Sequence, residues 1–342
     1  MHIELDVQHN FSLKTLNSFG IDVRALAYLR ISSCAELRAT LADSALAALP
    51  RLLLGGGSNI LFTGDFAGLV LHVVSGGRVI AATDAGTSLV RAAAGENWHG
   101  FVEWTLAQGL GGLENLALIP GTVGAAPIQN IGAYGVEIKD YFHSLTVFDS
   151  INGNTFVMDK AACRFAYRDS VFKHADGRRL VILDVTLALP KRWQPNLRYA
   201  ELAHALDEQG VSAPSARQVA DTVIAIRRRK LPDPLVIGNA GSFFKNPVVS
   251  QEQCRALLER FPALVHHAQP DGSEKLAAGW LIDQCGWRGR NVGPAGVYPK
   301  QALVLVNNGG ARGADVVRLA LAIQDDVLAH YGVRLEPEPV YV

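Results

Sequence analysis

Cysteine is scarce in this sequence, and its spacing indicates no shared site. The four cysteines are far apart, and no Cys-x-x-Cys pair occurs among them: Cys34, Cys163, Cys254 and Cys285. Zinc ribbons need closely spaced cysteine pairs, and small secreted domains need several disulfides. We therefore expect reduced cysteines at scattered core positions, and neither a disulfide framework nor a metal site.

An excess of charge and long apolar runs are also missing. Lys+Arg and Asp+Glu both total 32, so the formal net charge is zero, whereas a general nucleic-acid binder needs a cationic excess. No apolar run approaches the roughly 20 residues that are needed to span a bilayer. Residues 1–6 are acidic and lack the basic start and apolar run of a signal peptide. These absences predict a cytoplasmic protein that binds neither nucleic acid nor a membrane, and no obligate protein partner is indicated.

The pattern of strands and helices predicts an α+β fold with more than one domain. At 342 residues the chain is too long for a single small core. Short β-rich runs, such as those at 89–94 and 180–189, dominate up to about residue 190, together with an amphipathic helix at 33–49 that Ser32 or Ser33 can cap. Helical patterns dominate from Tyr199 onward, and the last of them covers about 313–331. Because two prolines end a predicted helix at 215–229, residues 231–234 suit a boundary between a β-rich first part and a smaller α/β second part.

A first glycine-rich loop, Gly55-Gly56-Gly57-Ser58-Asn59, follows a buried strand at 52–54. Its glycines allow successive backbone N–H groups to converge on an anion, and Ser58 and Asn59 can add hydrogen bonds. It is not a Walker A loop, because no Lys-Ser/Thr pair follows, and Ile60 occupies the third glycine position of a Rossmann fingerprint. A phosphate site and a tight turn are both open for this loop alone.

A second loop, at 120–135, is glycine-rich and too long to be an idle connection in a compact domain. Small residues at most of its positions indicate close approach by a planar ligand or by another stretch of backbone. Thr122, Gln129 and Asn130 can supply directional polar contacts, so an isoalloxazine ring would fit. A glycine-rich crossover packed against a sheet is the alternative. Two such loops in one β-rich unit favour a bound dinucleotide.

The segment 239–247 places two phenylalanines, Phe243 and Phe244, among asparagine, serine, lysine, glycine and proline. We expect it to form neither a regular strand nor a helix, but to hold the hydroxyl of Ser242 in a partly dry polar site. A turn that carries two core aromatics is the alternative. A Ser-His-Asp nucleophile is disfavoured, because the Gly-x-Ser-x-Gly elbow is absent.

Successive motifs resemble those of the UDP-N-acetylenolpyruvoylglucosamine reductases, bacterial flavoenzymes that make UDP-N-acetylmuramate for peptidoglycan. Besides the two loops, these motifs are 165–170, 238–247 and 335–338, and the resemblance runs from about Ser18 to the C-terminus. Residues 193–199 resemble the tyrosine loop that closes over substrate in one type of the family. The glycine loops are shared with the wider vanillyl-alcohol-oxidase-like (PCMH-type) superfamily, so they indicate the cofactor fold but not the substrate.

The resemblance implies a two-subdomain FAD-binding unit followed by a smaller α/β substrate-binding domain. The implied segments are FAD-binding subdomain 1 at 1–75, FAD-binding subdomain 2 at 76–231 with the tyrosine loop near 191–200, the substrate-binding domain at 232–332, and a C-terminal segment at 333–342 that returns to the active site.

The resemblance also implies the reaction. NADPH reduces non-covalently bound FAD, and the flavin then gives hydride to the enolpyruvyl group of UDP-N-acetylglucosamine enolpyruvate, which becomes the lactyl ether of UDP-N-acetylmuramate. Negative charge develops toward the substrate carboxylate, so preorganised electrostatic stabilisation is required. Arg168 can hold that carboxylate in a two-pronged pair, Glu338 lies in a proline-flanked segment that aims its side chain, and Ser242 can protonate the enolate carbon. Lys245 or Lys230 can stabilise the resulting alkoxide.

Each of these side chains also has a simpler interpretation. Arg168 could form a surface salt bridge with Asp169, and Glu338 could be an exposed acid of the tail. The cationic run 227–230 could only complement the negative end of its helix, although Arg227 and Lys230 share a face that could meet the UDP diphosphate.

By resemblance, the cofactor-binding candidates come from the two loops: Gly55, Gly56, Gly57, Ser58, Asn59, Pro120, Gly121, Thr122, Gly124, Ala125, Gln129, Asn130, Gly132, Ala133, Tyr134 and Gly135. The substrate-binding candidates are Tyr199, Arg227, Lys230, Asn246, Lys275 and Gln301. Two other functions compete with the reductase: another FAD-dependent oxidase or dehydrogenase of the superfamily, and a flavin- or nucleotide-binding module without catalysis. The first leaves the set Arg168, Ser242 and Glu338 without a purpose.

Overall fold

A computed structural model describes residues 3–342, which form twenty strands and nine α-helices. The strands are β1 (Gln8–Ser12), β2 (Arg24–Ile31), β3 (Arg51–Leu54), β4 (Ile60–Leu61), β5 (Phe66–Val73), β6 (Arg78–Thr83), β7 (Thr87–Ala93), β8 (Gly132–Ala133), β9 (Val136–Glu137), β10 (Phe142–Asp149), β11 (Thr155–Asp159), β12 (Leu180–Pro190), β13 (Gly238–Ser242), β14 (Val248–Val249), β15 (His266–Ala268), β16 (Glu274–Leu276), β17 (Asn291–Val292), β18 (Ala295–Val297), β19 (Val304–Asn307) and β20 (Val340–Tyr341). The helices are α1 (Cys34–Ala42), α2 (Ser44–Ala47), α3 (Trp98–Ala107), α4 (Lys160–Cys163), α5 (Ala200–Glu208), α6 (Ala216–Lys230), α7 (Gln251–Arg260), α8 (Ala278–Gln284) and α9 (Gly313–Tyr331). Short 3-10 helices occur at Lys14–Leu16, Glu114–Leu116, Ile138–Asp140 and Val171–Lys173.

The chain divides into two compact units. Unit 1 comprises the residues up to Phe11, Ala25–Gly57 and Phe66–Arg229, and unit 2 comprises Ser12–Arg24, Ser58–Asp65 and Lys230–Val342. Every helix among residues 3–342 is too short or too polar to cross a membrane.

Unit 1 contains a four-stranded sheet in the order β1-β2-β5-β3, in which β2, β5 and β3 run parallel. Helix α1 follows β2 and is capped by Ser33, one of the two residues predicted to cap it, and Ser33 and Glu36 form a capping box. The predicted single helix over 33–49 is wrong. Asp43 accepts hydrogen bonds from the N–H groups of Ala45 and Leu46, which ends α1 and starts α2.

The second sheet of unit 1 is antiparallel, in the order β11-β10-β12-β7-β6. The residues of β7 and β12 alternate between buried and half-buried or exposed over much of their length, and their buried members include Val90 and Leu187, which are paired across the sheet. Phe101 of α3 and Val223 of α6 belong to the same buried cluster and are fully buried. The long connection that contains the second glycine loop packs into this core.

Unit 2 contains an antiparallel sheet in the order β13-β19-β18-β17, a three-stranded sheet in the order β14-β16-β15, and the parallel pair β20-β4. The longest helix, α9, has the bounds predicted from the sequence and ends at Gly332, which takes the left-handed conformation with φ 65°. The expectation that the segment 239–247 would form no strand is wrong, because β13 covers its first part. The pairing of β13 with β19 is interrupted between Asn239 and Ser242, so the strand is bulged.

Candidate active site

The two glycine-rich loops contact each other in unit 1. A Cβ atom at Gly55 would lie 2.6 Å from Thr122 Oγ1, and one at Gly56 would lie 2.8 Å from Gly121 Cα. Both contacts are closer than a side chain permits, so glycine is required for packing at these two positions. The loops predicted to share one ligand are therefore adjacent.

The second loop is also attached to the connection between β7 and α3. The N–H of Gly124 donates to Ala94 O at 2.8 Å, and the N–H of Val123 donates to Glu96 O at 2.9 Å. A Cβ atom at Gly124 would lie 2.5 Å from Ala94 Cβ. Packing of backbone against backbone thus explains part of the small-residue pattern, as the crossover alternative predicts.

Beneath the first loop, His72 of β5 hydrogen-bonds the backbone of Gly55. Its Nδ1 lies 2.8 Å from the hydroxyl oxygen of Tyr28. Burial and the neighbouring Arg30 charge lower the pKa of His72, while the Gly55 bond raises it. Sequence reasoning missed His72, because its role depends on the parallel register of β5 and β3 and on no local motif.

Arg168 lies against the second loop. Its Nη2 donates to Gly132 O at 2.9 Å, and it lies in a turn in which Ala166 and Asp169 exchange backbone hydrogen bonds. Ser170 Oγ also donates to Ile128 O, at 2.6 Å. The predicted catalytic arginine and the predicted cofactor loop are therefore held together.

Three predicted site residues take the left-handed backbone conformation that L side chains rarely adopt. The φ angles are 46° at Asn130, 48° at Tyr134 and 54° at Arg168. The Asn130 amide is buried and donates to Glu137 Oε2 and Ala166 O, both at 2.9 Å. Asn130 thus fastens the loop to the Arg168 turn, and strained backbone of this kind is concentrated at functional sites in proteins.

The simpler interpretation pairs Arg168 with Asp169, but the Asp169 carboxylate has other partners in the structure. The Asp169 carboxylate lies 2.9 Å from His174 Nε2 and accepts a hydrogen bond from the N–H of Ser170. Asp169 therefore stabilises its own turn and contacts His174.

The tyrosine loop, 193–199, is fastened to the second glycine loop. Trp193 Nε1 donates to Glu114 Oε1 at 2.8 Å, and Asn196 Nδ2 donates to Gly135 O at 3.1 Å. The rings of Tyr134 and Tyr199 meet edge to face with centroids 5.0 Å apart. Tyr199 is 43% exposed, so its ring is available to a ligand.

Two buried residues beside this loop were missed by sequence reasoning. Glu114 is 1% exposed and Asn115 is fully buried, and the Asn115 amide donates to both Tyr134 O and Asn196 O. Burial raises the pKa of Glu114, while hydrogen bonds from Gly112 and Trp193 lower it. Their only signal in the sequence is a polar pair within an apolar stretch.

Arg227 of α6 is half-buried, and its Nε is a buried donor with no hydrogen-bond partner among the described residues. Burial lowers the pKa of Arg227, and the nearby Tyr134 raises it. Burial also raises the pKa of Tyr134, to about 12. A buried guanidinium donor without a partner is costly in a protein interior, and a bound anion or carbonyl group would satisfy it.

In unit 2, the segment after Ser242 pairs with the segment that contains Glu338. The N–H of Glu338 donates to Phe243 O at 2.8 Å, and the N–H of Lys245 donates to Glu336 O at 2.9 Å. Glu338 is half-buried rather than an exposed acid of the tail. The structure thus brings together two of the three predicted catalytic segments, while Arg168 belongs to unit 1.

The two phenylalanines are core residues that directly follow a half-buried Ser242. Phe243 is fully buried and Phe244 is 1% exposed. Phe243 meets Phe244 and Phe19 edge to face, with ring centroids 5.1 and 6.2 Å apart. The hydroxyl-bearing segment therefore has a rigid apolar side.

Asn59 of the first glycine loop belongs to unit 2. Its Nδ2 donates to Glu338 O at 3.3 Å, and its carbonyl oxygen accepts from the N–H of Val340 at 3.0 Å. The division between the units falls between Gly57 and Ser58, so one loop contributes residues to both.

Of the four substrate-binding candidates in unit 2, two lie near one helix and two lie on other elements. Asn246 Oδ1 accepts from the N–H of Ala278 at 3.0 Å, and Gln301 Oε1 is 3.2 Å from where a Cβ atom of Gly279 would lie. Both therefore lie at the first turn of α8. Lys275 is half-buried on β16, and Lys230 is the last residue of α6.

The residues of unit 1 fit a flavin dinucleotide. The first loop can present successive N–H groups at Gly55–Gly57, and the second loop is free of bulky side chains at several positions. FAD is large enough to need both loops.

Family models match both parts of the chain. The one described as FAD binding domain matches residues 25–159, and the one described as UDP-N-acetylenolpyruvoylglucosamine reductase, C-terminal domain, matches residues 233–342. These matches confirm the predicted α+β fold with an FAD-binding part of the flavoprotein superfamily and a separate C-terminal domain.

Relatives named UDP-N-acetylenolpyruvoylglucosamine reductase match nearly the whole chain. The one from Paraburkholderia phytofirmans is 57% identical over 96% of this chain and 96% of its own length. The one from Azoarcus sp. is 56% identical over 99% of this chain and 98% of its own length. A crystal structure of the Thermus caldophilus enzyme has the same fold, with a TM-score of 0.67, 23% identity, and coverage of 99% of this chain and 98% of that one. The chain therefore belongs to the UDP-N-acetylenolpyruvoylglucosamine reductase family.

Proposed function

We propose that this protein reduces the enolpyruvyl group of UDP-N-acetylglucosamine enolpyruvate to the lactyl ether of UDP-N-acetylmuramate, with FAD as cofactor and NADPH as electron donor. The relatives' names and the FAD binding domain support this activity. The observation that carries it is the backbone pairing of the Ser242 and Glu338 segments in unit 2, because a protonation step needs a fixed donor beside a fixed charge.

FAD, when bound, supplies the hydride that the substrate accepts. In unit 1, the two glycine loops would hold the dinucleotide by backbone N–H groups. His72 and Asn130 position these loops through the bonds to Gly55 and Ala166. We propose that they act on the cofactor only through the loops.

Arg168 would hold the substrate carboxylate while charge accumulates on it. Its backbone is fixed by the turn at 166–169, and one of its guanidinium nitrogens, Nη2, is held by Gly132 O. The guanidinium can form a charge-assisted pair with that carboxylate, and the pair strengthens as the substrate becomes an enolate.

Ser242 would donate the proton to the enolate carbon. Glu338 would be one element of the preorganised charge beside that carbon. A hydroxyl is a weak acid, but an enolate is a strong base, so transfer is chemically matched. Lys245 is one candidate to stabilise the alkoxide. Its ammonium pairs with Glu336 at 2.9 Å, but the Glu336 side chain is 68% exposed, so this pair contributes no more than about 1 kcal/mol and does not prevent that role. Lys230 is the other candidate.

Tyr199, Arg227, Lys230, Asn246, Lys275 and Gln301 would bind the UDP-sugar. We further propose that NADPH and the enolpyruvyl substrate use one site in turn, since the sequence shows no separate nicotinamide motif. Competitive inhibition between the two in steady-state kinetics would follow from this arrangement, and independent binding would contradict it.

One experiment separates the three candidate functions. Purified yellow protein is mixed with NADPH and then with UDP-N-acetylglucosamine enolpyruvate while the flavin absorbance is followed. Bleaching followed by rapid reoxidation supports the reductase. Bleaching without reoxidation by this substrate supports another flavin oxidase or dehydrogenase, and absence of bleaching supports a binding module.

A further inference from the structure

Three side chains with different metal-binding atoms meet in unit 2, on elements that contain neither Ser242 nor Glu338. They are Cys254 on α7, His266 on β15 and Glu274 on β16. The sulfur, a ring nitrogen and a carboxylate oxygen all lie within 4.8 Å of one another. His266 Nδ1 and Glu274 Oε2 are 2.9 Å apart.

The local topology creates this cluster. Strand β16 lies between β14 and β15, and Glu274 is paired with Val249 on one side and Ala268 on the other. Helix α7 follows β14 directly and is capped by Ser250, which accepts from the N–H of Gln253 at 3.1 Å. The first turn of α7 therefore brings Cys254 to Glu274, although the sequence shows no metal-binding spacing.

Burial makes the cluster costly without a cation. Cys254 is 2% exposed and Glu274 is 9% exposed, while the His266 side chain is 34% exposed. A buried carboxylate beside a buried thiol is poorly solvated, and a bound cation would offset that cost.

We propose that Cys254, His266 and Glu274 bind one Zn²⁺ ion, with water as the fourth ligand. Zinc takes sulfur at about 2.3 Å and nitrogen or oxygen at about 2.0–2.2 Å in a tetrahedron. The edges of such a tetrahedron are roughly 3.2–3.6 Å long, so small side-chain movements would close the site. A thiolate ligand disfavours Mg²⁺ and Ca²⁺, which prefer oxygen.

Binding would release the thiol proton to solvent and leave a thiolate on the metal. The ion would join α7 to the three-stranded sheet, so its role would be structural and independent of flavin chemistry. The sequence predicts no metal site, because Cys254 is remote from the other cysteines. Here the partners are a histidine and a glutamate instead.

The test uses the untagged, full-length, flavin-loaded protein, since a histidine tag would itself bind zinc. After EDTA treatment and its removal, the protein is equilibrated with micromolar Zn²⁺, and metal per chain is measured by mass spectrometry. We expect one equivalent in the wild type and at least about tenfold weaker binding in Cys254→Ala and Glu274→Gln. Cys285→Ala, which changes another cysteine of unit 2, should bind as the wild type does.

Co²⁺ substitution identifies the ligands. A tetrahedral site with a thiolate gives d–d bands at wavelengths beyond the flavin absorption, and these should be present in the wild type and Cys285→Ala but absent in Cys254→Ala. Flavin content and circular dichroism check that each variant is folded. If a variant does not fold, the wild-type stoichiometry and Co²⁺ spectrum decide alone. Less than one equivalent of zinc in the wild type, or equal binding in all variants, would overturn the proposal.

Discussion

The backbone N–H of Glu338 donates a hydrogen bond to the carbonyl oxygen of Phe243, at 2.8 Å. Next to it, Phe244 and Pro337 form an antiparallel bridge. Because Phe243 follows Ser242 directly, this short ladder fixes Glu338 relative to Ser242, the proposed proton donor. The two residues are held by backbone hydrogen bonds rather than by side-chain contacts. Backbone pairing survives side-chain substitution, so the roles of the two residues can be tested separately from their placement.

Glu338→Gln should slow reoxidation of the reduced flavin by the enolpyruvyl substrate by about 100-fold or more, because one element of the preorganised charge is lost. Glu336→Gln is the matched control in the same segment. Its carboxylate is exposed and pairs with Lys245, so the effect of this substitution should stay within a few-fold. Stopped-flow absorbance measures both rates, and equal slowing in the two variants would contradict the assignment.

Gly56→Ala should weaken FAD binding. Its Cβ atom would lie 2.8 Å from Gly121 Cα, so the two loops must separate, at a cost of about 1–3 kcal/mol. Gly64→Ala is the control, because a Cβ atom there meets nothing within 4 Å. Titration of the apoprotein with FAD measures the dissociation constants, and a Gly56→Ala variant that binds FAD as tightly as Gly64→Ala would show that the loop contact is not needed.

Trp193→Phe should affect substrate binding as well as stability. It removes the N–H that donates to buried Glu114 at 2.8 Å, which should lower the free energy of unfolding by about 1–3 kcal/mol. Because Trp193 begins the segment that ends at Tyr199, we also expect the KM for the enolpyruvyl substrate to rise several-fold.

Trp287→Phe provides the control for that change. Trp287 Nε1 donates to Asp326 Oδ2 at 2.9 Å in unit 2, so the variant should lose comparable stability while its KM stays unchanged. Denaturant unfolding and steady-state kinetics supply the two readouts. A similar rise in KM in both variants would mean that Trp193 acts only through general stability.

The buried Glu114 should make stability depend on pH in a definite direction. Burial raises the pKa of Glu114 above its ordinary value, so the folded protein binds this proton more tightly than the unfolded chain does. The stabilisation is fully present below the unfolded pKa, near about 4.3, and is lost as the pH rises through the folded pKa. Because glutamine does not titrate, the unfolding free energy of the wild type minus that of Glu114→Gln should fall as the pH rises over this window. Urea unfolding at several pH values measures it, and a difference that is constant or grows with pH would be inconsistent.

Much of the fold could be predicted because strong local patterns decide it. Helix α9 and strands such as β7 and β12 follow from apolar periodicity. Strand β13 was missed, because its sequence of small and polar residues has low strand propensity and is paired only through β19. Tertiary pairing outweighed propensity there.

The candidate site, like the fold, could be predicted only in part. Motifs identified the two glycine loops and the segments of Arg168, Ser242 and Glu338, since their residue types reflect the chemistry. Contacts between distant segments could not be predicted: the bond between His72 and Gly55 depends on strand register and leaves no local signal. The same limit hid the cluster around Cys254, whose members come from three elements.

The most direct test of the proposed mechanism is the rate of each half-reaction in Ser242→Ala, measured by stopped-flow absorbance beside Ser44→Ala, a control at an exposed serine of α2. We expect NADPH to reduce the flavin of Ser242→Ala at the wild-type rate, and reoxidation by UDP-N-acetylglucosamine enolpyruvate to slow by about 100- to 10,000-fold. Reoxidation at the wild-type rate would contradict the assignment of Ser242 as the proton donor.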